Sequence, residues 1–356
     1  MNFPFHKTKI EGVAQTFKLA DPVQRQEYFY LKVGPEIEKI REYLVKNSFI
    51  VYLLGKKNSG KGTYAKLFLE IFGPEKTAQV SIGDLVRRVH QTALANGPEK
   101  DELVKFLEKN YRGYISIEEA LEALLGRDVK KLLPSEFILA LVKREIAQFG
   151  KKALFLDGFP RNLDQISYSL FFRDLIGYRD DPDIFVLIDI PEKVIEERMK
   201  YRVVCPRCQT TPNLKLNPTK RVGYDEVQKE FYLICDNPAC RGQRLNRGKE
   251  GDNLGLEALR ERLTAEENLM KEALKLHGVP KILLRNHLPV DRSLELADQY
   301  EITPEYSYEW LEQVKEVRVL EKPWIFPDDD GVPSVSLLAP AVVVSLIKQL
   351  AQTLNL

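Results

Sequence analysis

The sequence predicts an α/β fold around a parallel sheet, and three observations carry that prediction. Residues 49–54, 153–156 and 184–190 are short apolar runs rich in β-branched and aromatic side chains, the pattern of strands buried on both faces. Helical patterns follow the first and the third: 64–72, ended by Gly73-Pro74, and the stretch after Pro191 that carries Arg198 and Arg202. The first run also enters its helix through Gly55-Lys56-Lys57-Asn58-Ser59-Gly60-Lys61-Gly62-Thr63. A strand, a glycine-bearing loop with a lysine, then a helix is the context of a phosphate-binding P-loop.

Composition bounds the rest. At 356 residues the chain suffices for two domains or for one core with insertions. Lysine and arginine total 53 against 52 acidic residues, so no charge excess favours nucleic acid or an anionic membrane as partner. Residues 1–11 lack the apolar core of a signal peptide, and the most apolar run, 335–350, is broken by Pro340 and Lys348. A cytoplasmic location is the resulting expectation, and a monomer is expected although nothing in the composition fixes the oligomeric state.

In chain order, a helix is predicted over 35–46 from Ile37, Ile40 and Leu44, within an extension spanning 1–47. In the P-loop, inward backbone N–H groups and the helix N-terminus suit phosphate, Lys61 reaches outer phosphates, and Thr63 offers a hydroxyl near a metal. Asn58 must accept a left-handed backbone less readily than glycine does. Residues 79–82 read as a short strand turning into a helix, which brings Asp84 and Arg87 to the ligand-binding edge of the sheet. Helical patterns follow at 99–110, 117–125 and 135–148. The next strand ends in Asp157, a typical holder of Mg²⁺ through water, followed by Gly158 for close approach and Arg161 for phosphate. Arg198 and Arg202, four apart, share a helix face.

The segments GKKNSGKGT, SIGDLVR, DGFPRNLDQ and RMKYR running into CPRC, in this order and spacing, resemble the adenylate kinase family of nucleoside monophosphate kinases. The match covers roughly 48–275. The resemblance implies a three-layer α/β/α P-loop fold with a five-stranded parallel sheet, a zinc-binding lid at 203–246 and a monophosphate-binding helical segment at 81–150. These would be inserted in a core spanning 48–356, with 290–356 closing on it.

Cys205, Cys208, Cys235 and Cys240 are the chain's four cysteines, all within one local stretch. Two close pairs in a cytosolic chain favour a tetrahedral structural Zn²⁺ over disulfides or four reduced thiols, and four thiolates leave no position for a catalytic water. The resemblance points the same way, since Arg202 keeps the family's three-residue interval to the first cysteine.

What the resemblance implies for the site is specific. Asn58, Ser59, Gly60, Lys61, Gly62, Thr63, Arg202 and Thr211 would bind ATP, and Ile82, Arg87, Leu133, Gly158, Arg161, Gln165, Arg247 and Arg262 the monophosphate. Arg198, Arg202, Arg247 and Arg262 would close over both nucleotides, while Asp84 and Asp157 orient Mg²⁺. After the lid the pattern loosens: extra residues separate Arg247 from Asp252, and Asn253 replaces an aspartate. Arg262, followed by Leu263, is preferred over Arg260. Gln165 favours AMP, giving ATP + AMP = 2 ADP, whereas Ile82 replaces a threonine and leaves CMP, UMP or GMP open. A catalytically weak nucleotide-binding protein is the reading from another class.

The tail from 279 is less legible. Residues 281–285 are the candidate fifth strand, with 317–320 as competitor, and 286–290 would lie near the ATP adenine. Asp328-Asp329-Asp330-Gly331 reads as a solvated hairpin turn, and 341–353 as a closing helix.

Overall fold

The central sheet has five strands, all parallel, in the order β2 (Thr77–Ser81), β3 (Ala153–Asp157), β1 (Ile50–Gly55), β4 (Asp183–Asp189) and β9 (Lys281–Arg285). The structure is a computed structural model and describes residues 3–95, 97–125, 133–160, 163, 175–208, 210–248 and 255–356. The elements run α1 (Pro22–Lys46), β1 (Ile50–Gly55), α2 (Lys61–Phe72), β2 (Thr77–Ser81), α3 (Ile82–Leu94), α4 (Pro98–Asn110), α5 (Ile117–Leu125), α6 (Ser135–Ala147), β3 (Ala153–Asp157) and β4 (Asp183–Asp189). Then come α7 (Glu192–Lys200), β5 (Val203–Val204), β6 (Arg221–Asp225), β7 (Glu230–Ile234), β8 (Asn246–Arg247), α8 (Arg260–Lys275), β9 (Lys281–Arg285) and β10 (His287–Pro289). The chain ends with α9 (Val290–Leu296), β11 (Pro304–Leu311), β12 (Glu316–Pro323), β13 (Phe326–Pro327), β14 (Pro333–Ser336) and α10 (Ala339–Thr353).

Alternation along each strand sorts its side chains onto two faces. Val51, Leu53, Phe155, Val186, Ile188, Ile282 and Leu284 pack on one face with α1, α2 and α10. Ile50, Tyr52, Leu54, Leu154, Leu156, Phe185 and Leu187 pack on the other with α3, α6 and α8. Three layers result, and every residue of β1 is buried. The register Leu53↔Asp157, Ser81↔Asp157 and Gly55↔Ile188 brings the strand ends to one edge. Strand order reverses at β1, so the crevice where open α/β sheets bind ligands opens beside its carboxyl end.

The predicted helix at 35–46 is the second half of a longer one. Asp21 caps α1 by accepting from the Val23 and Gln24 amides, and the helix kinks at Val33, ahead of Gly34-Pro35. Proline lacks the N–H and crowds the preceding turn, so it bends α1 rather than starting it. The fifth strand is Lys281–Arg285; the competitor 317–320 belongs to β12 of a two-stranded hairpin.

Between β9 and α10 the chain inserts a small antiparallel sheet, order β10-β14-β13, and the β11–β12 hairpin. Tyr306, Tyr308 and Trp310 alternate along β11 and therefore share one face. That face meets the cysteine segment. The Tyr306 amide donates to the Lys215 carbonyl at 2.7 Å, and the Tyr308 hydroxyl to the Leu214 carbonyl at 2.5 Å. Trp310 stacks on Tyr224 with ring centroids 4.9 Å apart. Among the described residues no helix is long and apolar enough to cross a membrane.

Candidate active site

The site is built on the turn between β1 and α2. Two of its residues hold left-handed backbone, Asn58 at φ 64° and Gly60 at φ 104°. Gly55 has no room for a side chain: a Cβ would lie 2.7 Å from Ser59 Oγ and 3.2 Å from Ile188 Cβ. The buried Ser59 hydroxyl has no hydrogen-bond partner among the described residues. Lys61 opens α2 and folds back, donating to the carbonyls of Gly55 at 2.6 Å and Lys56 at 3.1 Å. Burial pushes the Lys61 ammonium below its ordinary pKa, and the charges of Asp157 and Glu266 oppose that shift. Thr63 is exposed one turn into the helix.

Guanidinium groups from other segments meet this loop. Arg198 on α7 donates to the Asn58 carbonyl at 2.9 Å, and Arg202 bonds the Asn58 side-chain oxygen. Burial lowers the Arg198 pKa, while the Tyr64 hydroxyl favours its charged form. Arg262 on α8 pairs with Glu266 at 2.9 Å, and the other Glu266 oxygen accepts the Lys57 amide at 2.5 Å. Arg260 instead bonds Glu192 and Glu257.

Beside the loop, toward β2, lies an open cleft of about 310 Å³. Gly62 and Lys66 of α2, Gln79 and Ser81 of β2, Asp84 and Arg88 of α3, Glu145 and Asp157 line it. Desolvation raises the Asp84 carboxyl, but the hydrogen bond from Arg87 helps hold its pKa below the ordinary value. Arg87 itself is paired with Asp84 at the surface. Gly158 follows Asp157 with φ 91°.

Other predicted residues stand apart. Arg247 points to Glu230 at 3.0 Å on the cysteine segment and is largely exposed. Thr211 is exposed on the same segment, Leu133 is half-buried, and the Ile82 side chain is wholly buried in the core. Asn286, expected near the adenine, is fully buried and donates to Tyr64 Oη and the Leu337 carbonyl, both at 3.2 Å. Arg161, Gln165, Asp252 and Asn253 lie outside the described residues.

The four cysteine sulfurs lie within 4.8 Å of one another, with Cys205–Cys240 at 3.8 Å and Cys208–Cys235 at 3.6 Å. A tetrahedral zinc with arms of about 2.3 Å has sulfur–sulfur edges of about 3.8 Å, so the donor set and its spacing fit that ion. Burial raises the Cys235 thiol and pushes Cys240 up to about 12, whereas N–H groups of Cys208 and Arg207 outweigh burial at Cys205 and bring it down to about 7.

Sequence reasoning missed Glu266, Tyr64, Arg88 and Lys56. Glu266 was within reach, because it stands four residues after Arg262 on one helix face. The others had no local signal, since their partners come from distant segments.

Comparison with known proteins agrees with this geometry. The chain is 32% identical over 188 residues to an adenylate kinase of Clostridium botulinum (strain Loch Maree / Type A3), covering 52% of this chain and 71% of that protein. It is 33% identical over 174 residues to the adenylate kinase of Clostridium acetobutylicum, 49% of this chain and 68% of the relative. With the adenylate kinase of Staphylococcus epidermidis the identity is 30% over 200 residues, 55% and 80% of the two chains. No family model matches the chain. With more than two thirds of each of these kinases covered at this identity, and a lysine-bearing loop ringed by arginines on a five-stranded parallel sheet, the chain belongs to the adenylate kinase family of phosphotransferases.

Proposed function

We propose that the chain transfers the terminal phosphate of ATP reversibly to AMP, giving two ADP. The observation that carries this reading is the convergence of Lys61, Arg198 and Arg202 on one loop of backbone amides, with Arg262 reaching it through Glu266. Phosphoryl transfer asks little covalent work of a protein; it asks for in-line positioning and neutralised charge. Lys61 exchanges its two carbonyl partners for the donor's outer phosphates, and the loop's N–H groups hold the same oxygens. Arg198, Arg202 and Arg262 offset charge that spreads over the transferred group. The cleft on the Asp84–Asp157 side receives the acceptor, with Arg87 and Arg161 on its phosphate. Residues 81–150 serve as the acceptor-binding segment. Asp84 and Asp157 would hold the waters of the Mg²⁺ that accompanies ATP, and that ion would supply neutralising charge.

The cysteine segment at 203–246 acts as a lid that excludes water, without which ATP would be hydrolysed. Cys205, Cys208, Cys235 and Cys240 would bind a structural Zn²⁺ that makes so small a segment rigid. Gln165 supports AMP as acceptor.

Coupled-assay rates with MgATP and each of AMP, CMP, UMP and GMP test the reading. AMP should be the best acceptor. If AMP is the poorest, the base assignment is wrong; if no monophosphate is turned over, the chain is a nucleotide-binding protein instead.

A further inference from the structure

Lys56, the second residue of the phosphate loop, is not directed to solvent as a loop lysine usually is. Its ammonium is buried among Glu267 Oε2 at 3.5 Å, Asp329 Oδ2 at 3.5 Å and Glu192 Oε1 at 3.8 Å. Glu192 is shared with Arg260 at 2.7 Å, and Glu267 with Lys271 at 2.8 Å. Asp329 has no second salt bridge among the described residues. It comes from the turn between β13 and β14, in the insertion between the fifth strand and the last helix.

The other oxygen of the same carboxylate does separate work. Asp329 Oδ1 accepts the Glu192 amide at 2.7 Å. Glu192 is the first residue of α7, and the position before it is Pro191, which supplies no side-chain cap. Asp329 therefore satisfies an orphan donor and places negative charge at the helix's positive end. It does so from 137 residues away. Asp328 keeps the turn rigid: its backbone N–H donates to the Val332 carbonyl at 2.9 Å, and its carboxylate accepts the amides of Asp330 and Val332.

We propose that Asp329 is a positioning residue for the donor-nucleotide site, tying the phosphate loop to the arginine-bearing helix. One oxygen reaches Lys56, whose carbonyl holds Lys61. The other holds the start of α7, whose far end places Arg198 and Arg202 on Asn58. The relative placement of the loop and its two guanidinium groups thus depends on a carboxylate that touches no nucleotide. Of three successive acids, 328 builds the turn and 329, itself part-exposed, reaches Lys56 and the start of α7. The inference rests on the proposed reading that ATP occupies the loop.

The test uses Asp329→Ala, Asp329→Asn and Lys56→Met in the full chain. Readouts are kcat, KM for MgATP and for AMP, calorimetric MgATP binding and melting temperature. Misplacement of catalytic groups on the ångström scale costs up to about a hundredfold, so Asp329→Ala should lose about tenfold to a hundredfold in kcat/KM for MgATP. The KM for AMP should not change. Asp329→Asn keeps an acceptor for the Glu192 amide and loses the charge toward Lys56, so it should recover part of the loss. Asp329→Ala combined with Lys56→Met should lose less than the sum of the singles.

A lowered melting temperature with unchanged MgATP binding and kcat overturns the proposal, as does strict additivity with Lys56→Met. If Asp329→Ala does not fold, the Asn variant decides by the same criteria. A wild type that turns over no monophosphate overturns the catalytic reading alone, because the variants' weaker MgATP binding would still be measured directly.

Discussion

Asn58 holds a left-handed backbone that glycine would adopt more freely, and its surroundings show how that is accommodated. The left-handed backbone is one that asparagine tolerates better than other side chains. Its side-chain oxygen gives Arg202 a partner that glycine could not supply. Lys61 is the residue whose loss should be plainest. Lys61→Ala should lower kcat by at least about a hundredfold with little change in melting temperature, since among the described residues the ammonium bonds only carbonyls. Stopped assays paired with thermal denaturation check it.

His287 gives a pH prediction. Burial and the neighbouring Arg285 push it from 6.5 down to about 3, with Asp328 opposing weakly. Between those values the unfolded chain binds a proton that the folded chain refuses. Stability from this group is therefore complete above pH 6.5 and is lost as pH falls toward 3, by up to about 1.4 kcal/mol per pH unit. Chemical denaturation at pH 7, 6 and 5 should show a flatter decline for His287→Gln than for wild type. The motif residues were readable because each sits in a consecutive stretch with its own spacing. The carboxylates around Lys56 were not, because positions 192, 267 and 329 meet only after folding.

The elements show which patterns resolve ambiguity. β9 closes one edge of the sheet and buries alternate residues, Ile282 and Leu284, yet its Ile282-Leu283-Leu284 run is apolar throughout, as suits a parallel strand covered by helices. Val317-Arg318-Val319-Leu320 is interrupted by an arginine, and it pairs in an exposed antiparallel hairpin. The length of α1 was missed for the opposite reason: Pro35 read as a start although a helix can bend through it. The spacing of the cysteine pairs made their cluster legible, while its contact with β11 was not. The cluster makes a prediction of its own. Purified protein should contain about one zinc per chain, and Cys235→Ser should remove it. Residues 203–246 should then become protease-sensitive while the sheet keeps its circular-dichroism signal. A fully stable, metal-free preparation would contradict the assignment.

For the whole molecule, the sheet order explains why residues as far apart in sequence as Gly62, Asp84 and Asp157 line one cleft. Parallel strands deliver their carboxyl ends to a single edge, and reversal at β1 opens the crevice there. That much followed from alternating strands and helices. The 287–337 insertion did not, because its contacts lie with segments far away in sequence. The monophosphate panel belongs to this scale, since the cleft proposed for the acceptor is lined by several elements together rather than by any single one.

The packing of Tyr306, Tyr308 and Trp310 on 214–231 carries a mechanical corollary. The cysteine-bearing flap is joined to the body by more than its own two stalks. If residues 203–246 close over nucleotides as proposed, that swing must haul the aromatic ribbon along or peel it off, so its pivot would include the ribbon's roots near 303 and 324, and shortening the ribbon should change how fast products escape.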